Sequence, residues 1–303
     1  MTPSLLDSAP LETLPWSYAE AFSRHQGLLE PAEQERLRHA RVAVAGLGGV
    51  GGAHLITLAR LGIGAFRIAD PDRFETVNFN RQYGACLHSL DLGKAEVMAQ
   101  HALAINPDLD LRVFAEGVNP DNVAAFLDGV DVLVDGIDFF ALETRRLLFR
   151  EARRRGIWAV TAAPLGFSSA LLTFAPDGMS FDDYFDIDDS MPRLDRLVAF
   201  YLGLAPRATH APYMRGVDLS GGRGPSTGLA CQLCSGMAAA ETLKILLRRG
   251  PLRPAPAYAQ FDAFTGTFRQ GYLRFGNRHP WQRLRRWLWK RRWLRAAPPH
   301  EES

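Results

Sequence analysis

Apolar runs and helical patterns alternate along the first half of the chain. The stretch RVAVAG at 41–46 predicts a buried strand, and a glycine-rich segment follows it directly. AHLITLARLG then predicts an apolar helix closed by Gly62, and AFRIAD predicts a second strand that ends at Asp70. This order of strand, glycine-rich turn, helix and strand is typical of a βαβ unit.

The same alternation continues to residue 163. The predicted helices lie at 94–106, 122–127 and 141–156, and the predicted strands lie at 111–117, 130–138 and 158–163. Strands that alternate regularly with helices indicate a mostly parallel sheet with helices on both faces. We therefore expect an α/β fold with a doubly wound, Rossmann-like sheet.

The pattern divides the chain into four segments. They are an N-terminal helical arm at 1–40, the main α/β domain at 41–250, C-terminal strands at 251–276 and a basic tail at 277–303. Within the main domain, the stretch 175–225 is rich in glycine, proline and charge. It predicts a long crossing loop with one short helix near 194–202, before a helix rich in small residues.

An uncharged stretch of twenty residues, from Ile157 to Pro176, is long enough to span a bilayer. Pro164 and Gly166 interrupt it, and β-rich sequence lies on either side of them. We therefore predict two buried strands joined by a turn, not a membrane helix. The N-terminus shows no basic segment followed by an apolar one, so we expect a cytoplasmic protein without a signal peptide.

Composition excludes collagen-like, disulfide-rich and wholly disordered chains: 47% of the 303 residues are hydrophobic, and only three are cysteines. The net charge of +2 hides an asymmetry, because Arg278 to Arg295 contains eight basic residues and no acid. Four of the six tryptophans also lie in this tail. Such a mixture suits contact with an anionic surface, either a membrane or RNA, and a solvated tail is the alternative.

The glycine-rich turn carries the first chemical signal. Gly46, Gly48 and Gly51 fit G-x-G-x-x-G between a strand and a helix, where backbone N–H groups bind phosphate. Asp70 follows Gly51 by nineteen residues, at the end of the second strand, where a carboxylate binds a ribose hydroxyl. By themselves these residues support NAD binding, and they do not yet separate a dehydrogenase from an enzyme that uses ATP.

The next residues favour ATP. Asn78, Arg81 and Gln82 lie just beyond the ribose-binding acid, and Lys94 follows Arg81 by thirteen residues at the start of a helix. A triphosphate requires converging cations, whereas a dinucleotide requires little neutralisation. Asp138 ends a buried strand, where a carboxylate can hold Mg²⁺ beside phosphates.

These motifs together resemble the ThiF/MoeB/HesA adenylyltransferases, the bacterial relatives of ubiquitin-activating enzymes. The matching stretches are the glycine loop at 46–52, Asp70, NFNRQ at 78–82, GKAE at 93–96, INP at 105–107, DGID at 135–138 and GMAAAETLKILL at 236–247. FSRHQGLL at 22–29 resembles the family's YxRQ segment and contains Arg24. The resemblance covers roughly residues 18–250.

The resemblance implies that Mg-ATP is bound and that a carboxylate attacks the α-phosphate, which yields an acyl adenylate and pyrophosphate. It implies that Arg81 and Lys94 contact the phosphates, that Asp138 binds Mg²⁺ and that Arg24 enters the site of a partner subunit in a homodimer. The residues expected to bind the nucleotide are Gly46, Gly48, Gly49, Gly51, Asp70, Asn78, Arg81, Gln82 and Lys94.

The chain departs from the family pattern at its cysteines. A structural zinc site needs four ligands, and only one Cys-x-x-Cys pair is present, so we expect no zinc and a packing role for Cys231 and Cys234. Relatives that form a thioester carry a cysteine in the crossing loop, whereas residues 139–230 contain none. We therefore expect an external nucleophile to attack the acyl adenylate directly.

A second departure concerns the arginine that follows Asp138. Arg145 or Arg146 lies two or three residues later than the family spacing, with Arg145 the better candidate and a surface salt bridge the alternative. Among the histidines, we expect His54 to be a packed helix residue. His210 is a weaker candidate for the acceptor pocket.

Several functions remain open. The leading hypothesis is carboxylate adenylation on a ubiquitin-like carrier, sulfur carrier or peptide. The stretch INPD…VNPDNV resembles tRNA threonylcarbamoyladenosine dehydratases, which share the core. A dinucleotide-dependent reductase would leave Arg81 and Lys94 without a triphosphate. A non-catalytic partner subunit would have no need of these cations and Asp138 together.

Overall fold

The computed structural model describes residues 15–214 and 224–296, which are organised around one sheet of eight strands. The strands are β1 (Arg41–Ala45), β2 (Ala65–Ala69), β3 (Asp110–Phe114), β4 (Val132–Asp135), β5 (Trp158–Leu165), β6 (Ser168–Phe174), β7 (Ala257–Asp262) and β8 (Thr267–Tyr272). Their spatial order is β3-β2-β1-β4-β5-β6-β7-β8. The pairs among β1–β5 are parallel, and β6, β7 and β8 add antiparallel strands at one edge.

Helices cover both faces of this sheet. They are α1 (Tyr18–Ala21), α2 (Pro31–His39), α3 (Gly49–Arg60), α4 (Lys94–Ile105), α5 (Val123–Phe126), α6 (Leu142–Arg154), α7 (Phe181–Phe185), α8 (Arg193–Leu204), α9 (Gly228–Leu247) and α10 (Pro280–Ala296). The side chains of α3, α4 and α9 form one core with the sheet, and those of α5, α6, α7 and α8 form the other. The structure confirms the predicted doubly wound, mostly parallel α/β fold.

The small residues of α9 explain why this long helix packs flat on the sheet. Three alanines of α9 are buried where this helix packs on α3 and on strands β5 and β6: Ala230, Ala238 and Ala239. Ser235 donates a hydrogen bond to the backbone oxygen of Ala53, 2.8 Å away in α3. Small side chains let the helix backbone approach its neighbours, so α9 supports the strands that carry the site.

The uncharged stretch at 157–176 forms two strands and a turn, as predicted. Strands β5 and β6 pair antiparallel, and Gly166 adopts a φ of +65° between them. Positive φ is accessible to glycine at little cost, which explains its position in this tight turn. None of the helices in the described ranges has the length and apolar character needed to cross a membrane.

The crossing segment differs from the predicted loop. It contains α7 and α8, and α8 extends beyond the predicted helix at 194–202. Phe181, Tyr184 and Phe185 are buried in the core, while Asp182 turns outward and pairs with the fully buried Arg146, 2.9 Å away. The aspartates of this segment suggested a solvated loop. They are interspersed with aromatic residues at helical spacing, so one side of the helix is apolar and the other is polar.

The remaining segments extend the same structure. Of the strands predicted for 251–276, β7 pairs with β6 and β8 pairs with β7 at the edge of the sheet. The basic tail begins with α10, which packs on α8. In the N-terminal arm, α2 packs against α9. The predicted arm at 1–40 and tail at 277–303 each extend beyond the described residues.

Candidate active site

A cleft of about 960 Å³ opens at the carboxyl ends of β1, β2, β4 and β5. This edge of a doubly wound sheet is where such folds bind ligands, and the volume is at the upper end of the usual range for ligand pockets. Glycines, carboxylates and cations line one end of the cleft. Aromatic residues line the other end, beyond Asp138.

The glycine loop is set by close contacts between backbones. Gly46 has a φ of +81°, and a Cβ there would lie 2.4 Å from the backbone oxygen of Gly136. A Cβ on Gly51 would lie 1.7 Å from the backbone oxygen of Gly46. Larger side chains are excluded at both positions, which lets the start of α3 approach the ends of β1 and β4.

The first turn of α3 faces this cleft. Gly48 precedes the helix and provides no side chain to cap it, and Gly48 and Gly49 both line the cleft. The first N–H groups of a helix have no partners within it and carry a partial positive charge. The turn is therefore suited to bind phosphate oxygens. Gly51 lies beneath the loop and does not line the cleft.

Asp70 anchors the loop from the end of β2. One carboxylate oxygen accepts the Leu47 N–H at 2.6 Å, and the other accepts the Asp72 N–H at 2.9 Å. Burial raises the pKa of this carboxyl, and the two N–H groups and nearby Lys94 oppose that shift. Asp70 also lines the cleft, so its acceptor oxygens border the predicted ribose position.

The two predicted phosphate-binding cations both line the cleft. Lys94 begins α4 and is buried, and its Nζ lies 2.9 Å from Oδ2 of the exposed Asp72. Arg81 donates to the backbone oxygen of Val77 at 2.8 Å and to Oδ1 of Asn80 at 2.9 Å. These partners orient the two cations, and both remain within reach of an anion in the cleft.

Of three other residues predicted for the site, Gln82 lines the cleft and Asn78 and Arg24 do not. Gln82 lines the cleft, and its buried Oε1 has no hydrogen-bond partner within the described ranges. Asn78 is buried and does not line the cleft, because its Oδ1 accepts the Glu75 N–H at 3.0 Å and so caps a local turn. Arg24 is exposed on the N-terminal arm and does not line the cleft of its own chain.

Asp138 lies where the nucleotide end meets the aromatic end. It is exposed in the turn between β4 and α6, and its Oδ1 accepts the Phe140 N–H at 2.9 Å. The described residues provide no partner for its second oxygen. That oxygen is free to face a ligand, and the bond to Phe140 fixes the turn in one conformation.

Arg145 secures this turn from α6. Its Nε lies 2.8 Å from Oδ2 of Asp135, and both side chains are less than 5% exposed. The guanidinium also donates to the backbone oxygens of Ile137 and Asp138. Arg146, the next residue of α6, points in a different direction and pairs with Asp182. Arg145 is thus the arginine of the cleft wall, whereas Arg146 belongs to the core.

Sequence patterns did not identify every residue of the cleft. Asp72, the partner of Lys94, follows Asp70 by two residues, and Glu116 lies just after β3 at the same sheet edge. Their positions just after strand ends could have identified both residues from the sequence. The aromatic end had no such signal, because it combines residues that are distant in sequence.

His54 and His210 lie outside the cleft lining. His54 is buried in α3, neither ring nitrogen has a partner within the described ranges, and burial lowers its pKa to about 4. His210 lies behind Tyr201, with its Nε2 2.9 Å from the phenol oxygen that borders the cleft. Burial lowers the pKa of His210 to about 4 as well. Both imidazoles are therefore neutral near pH 7.

Two of the three cysteines are packed in the core. Cys231 and Cys234 are buried in α9, and burial raises the pKa of both thiols. Cys86 is exposed. In the part of the chain that the structure describes, no cluster of three or more His, Cys, Asp or Glu side chains could hold a metal ion. The prediction that zinc is absent remains a prediction.

Comparison with known proteins agrees with this geometry. The model of the ThiF family matches residues 22–280. The chain belongs to the ThiF family. The resemblance seen in its motifs is thereby confirmed, and the matched range includes every strand of the sheet and the whole described cleft.

Named relatives include several types of enzyme. The SAMP-activating enzyme E1 of Haloferax volcanii is 35% identical over 161 residues, which cover 52% of this chain and 59% of that protein. The ThiS adenylyltransferase of Bacillus subtilis is 30% identical over 148 residues, which cover 48% and 44%. The tRNA threonylcarbamoyladenosine dehydratase of Escherichia coli is 38% identical over 128 residues, covering 42% and 47%. The chain thus spans about half the length of these curated relatives.

The solved structure of that dehydratase in complex with ATP shares the fold. It superposes with a TM-score of 0.58 and 23% identity, covering 77% of this chain and 97% of the other. At this level of identity the likeness demonstrates a common fold.

Proposed function

We propose that this protein is an ATP-dependent adenylyltransferase that activates a carboxylate as an acyl adenylate. One observation carries the proposal: a single cleft brings together the start of α3, Arg81, Lys94 and Asp138. A reductase would have no use for two cations and a free carboxylate beside a phosphate-binding helix. The ThiF family and its named adenylyltransferases support the same reaction.

In this mechanism the cleft binds the triphosphate through charge. The N–H groups at the start of α3 and the side chains of Arg81 and Lys94 contact the phosphates, and Asp70 accepts a ribose hydroxyl. Lys94 exchanges part of its contact with Asp72 for a phosphate oxygen. As the acceptor carboxylate attacks the α-phosphorus, negative charge grows on the phosphate oxygens, and prepositioned cations stabilise that charge. Pyrophosphate is the leaving group.

Asp138 is the residue suited to a magnesium ion. Mg²⁺ is usually held by one or two carboxylates together with substrate phosphates, and Asp138 lines the cleft with one carboxylate oxygen that has no partner among the described residues. The bound ion would neutralise phosphate charge. The turn secured by Arg145 keeps the Asp138 carboxylate at the boundary between nucleotide and acceptor.

The acceptor in this proposal is the C-terminus of a ubiquitin-like carrier, a sulfur carrier or a peptide. The names of the relatives from Haloferax volcanii and Bacillus subtilis support a carrier protein. Because residues 139–230 contain no cysteine, the acyl adenylate would react directly with an external nucleophile. A dehydratase acting on tRNA is the second candidate, supported by the 38% identity to the Escherichia coli enzyme.

Ligand-induced thermal stabilisation tests the nucleotide site. Mg-ATP should raise the melting temperature of the wild type, because a ligand at 100 times its Kd stabilises the fold by about 2.7 kcal/mol. ATP with EDTA and NAD should give smaller shifts. Lys94→Ala should lose the Mg-ATP shift, while Lys244→Ala, a lysine on α9 outside the cleft lining, should keep it. A shift with NAD alone would overturn the proposal, and no shift would favour a non-catalytic partner.

We further propose a homodimer in which Arg24 acts in the partner's cleft. Arg24 is exposed and absent from its own cleft, and Val77, Leu87 and Leu229 expose apolar surface that a second copy could cover. Mixing the inactive variants Arg24→Ala and Lys94→Ala tests this. If Arg24 acts in trans, mixed dimers regain one complete site and pyrophosphate exchange returns. If the mixture stays inactive although mixed dimers form, the proposal is wrong.

We also propose that this cytoplasmic protein associates peripherally with an anionic membrane through α10. One side of α10 faces the protein: Gln282 donates to the Leu202 oxygen, Arg285 to the Pro206 oxygen and Arg286 to Asp186. The inward side of this helix is held by these polar contacts and by Trp289, whose ring centroid lies 5.3 Å from that of Tyr201.

The outward face of α10 is apolar and basic. Trp281, Leu284, Trp287 and Leu288 are each 44–59% exposed, and the Arg291 guanidinium stacks 3.7 Å from the Trp287 ring. Tryptophan and arginine together suit the interface between lipid headgroups and acyl chains. Since the tail contains no acid from Arg278 to Arg295, its charge complements anionic lipids.

A further inference from the structure

The acceptor end of the cleft is built from apolar and aromatic side chains. Beyond Asp138 the lining consists mainly of Phe139, Phe140, Leu165, Phe200, Tyr201 and Leu204, which we call the aromatic end. Phe139 stands 5.1 Å from Phe140 and 5.1 Å from Phe200 between ring centroids. Phe139, Phe140 and Tyr201 are only partly buried by the protein. Their rings therefore leave apolar surface that a ligand in the cleft can cover.

The position of these rings connects them to the reaction. Phe139 and Phe140 follow Asp138 directly, and the bond from the Phe140 N–H to the Asp138 carboxylate holds all three in one turn. They occupy the stretch that separates Asp138 from Arg145, which is longer here than the family spacing. The turn thus brings two aromatic side chains next to the carboxylate at the proposed reacting end.

Charged side chains are scarce among the described residues of the aromatic end. Of the residues at 139–165 and 200–214 that line the cleft, Arg145 alone is charged. Its charge is compensated by the buried Asp135, and the guanidinium stacks 4.7 Å from the ring centre of Phe200. Apart from Arg145 and the hydroxyl-bearing Thr144, Thr161 and Tyr201, the described residues of this lining offer no side-chain partner to a polar or charged acceptor group, which would lose much of its hydration here.

We infer that the acceptor is a carboxylate attached to a bulky apolar group, preferably an aromatic one. This rests on the proposed adenylation and specifies its substrate class. The carboxylate would lie at Asp138, and the apolar group would fill the space among Phe139, Phe140 and Tyr201. Both a peptide with an apolar C-terminal residue and a small aryl-alkanoic acid have this chemistry.

ATP–pyrophosphate exchange tests the inference with a panel of carboxylates. One arm uses peptides of identical upstream sequence that end in Phe, Leu, Gly or Asp, and the other uses 3-phenylpropionate. We expect the Phe and Leu peptides to exceed the Gly and Asp peptides in kcat/KM by roughly 10- to 100-fold, as expected for burial of one large apolar side chain. Activity with 3-phenylpropionate alone would assign the same chemistry to a small molecule.

Variants of the aromatic end provide the matched control. Phe139→Ala and the milder Phe139→Leu should reduce the preference for Phe over Gly, with the Mg-ATP thermal shift unchanged. Phe275→Ala, an exposed ring outside the cleft lining, should keep the preference. Equal or better exchange with the Gly peptide, or an unchanged preference in a folded Phe139 variant, would overturn the inference.

Failure of the proposed adenylation gives a different result from failure of the aromatic inference. If Mg-ATP produces no thermal shift and no carboxylate supports exchange, adenylation itself is wrong. If Mg-ATP binds but no apolar carboxylate supports exchange or raises the melting temperature further, the aromatic inference is wrong and the nucleotide site stands.

Discussion

The buried ion pair between Asp135 and Arg145 should control both the stability of the protein and the position of Asp138. The two side chains are 2% and 4% exposed, and Nε lies 2.8 Å from Oδ2. Removing one partner leaves an uncompensated buried charge, which typically costs about 3–5 kcal/mol. Asp135→Asn and Arg145→Met should each lower the free energy of unfolding by about this amount.

Urea unfolding of both single variants and of the double variant measures this interaction. Because neither charge remains alone in Asp135→Asn/Arg145→Met, the double variant should lose less than the sum of the single losses, by about 1–3 kcal/mol. Arg154→Met, on the exposed side of the same helix, breaks a surface pair with Glu151 and should cost at most about 1 kcal/mol.

The same variants connect stability to function. Arg145 also donates to the backbone of the Asp138 turn, so Arg145→Met should weaken Mg-ATP binding in a protein that is still folded. Losses below about 1 kcal/mol in both single variants, or strictly additive losses, would refute the argument that this pair is buried and coupled. Unchanged Mg-ATP affinity in folded Arg145→Met would refute the link to the turn.

Two further predictions concern acid stability and the tail. In the folded protein the pKa of His54 is about 4, against 6.5 for an ordinary histidine, so the unfolded chain binds an extra proton between these values. Stability should therefore fall as the pH decreases from about 6.5 to about 4, by about 3 kcal/mol for this residue, and His54→Leu should flatten the pH profile of urea unfolding; a profile identical to wild type would contradict this. For α10, Trp281→Ala/Trp287→Ala should reduce co-sedimentation with phosphatidylserine vesicles, which salt should also weaken. Unchanged sedimentation, or binding to RNA in place of vesicles, would show that the membrane assignment is wrong.

Local patterns in the sequence predicted most of the fold. The strand at 41–46, the glycine turn and the apolar helix after it form β1, the loop and α3, because each signal is contained within a few adjacent residues. The stretch at 157–176 was separable from a membrane helix by Pro164 and Gly166 together with the β-rich sequence on either side of them. The crossing segment was harder to predict, since its aspartates masked the helical spacing of Phe181, Tyr184 and Phe185.

The site was predictable to the extent that its residues follow strand ends. Asp70, Lys94 and Asp138 each lie just after a strand or at the start of a helix, so parallel strand order brings them to one edge. The partners that hold them were not predictable. Neither the pairing of Lys94 with Asp72 nor that of Arg145 with Asp135 leaves a periodic signal, because each depends on how two elements pack.

The two ends of the cleft come from different parts of the chain. The resemblance to the family therefore says more about nucleotide binding than about the acceptor. The nucleotide end comes from β1, β2, α3 and α4, the part of the chain that carries the glycine loop, Asp70, NFNRQ and GKAE. The aromatic end instead combines the turn before α6 with Phe200 and Tyr201 of α8 in the crossing segment. Arg145 joins the two ends, since it binds Asp135 at the end of β4 and stacks on Phe200. Changes in α8 can therefore alter the acceptor without disturbing the phosphate-binding residues, so acceptor specificity in this chain should follow α8 and the Phe139–Phe140 turn.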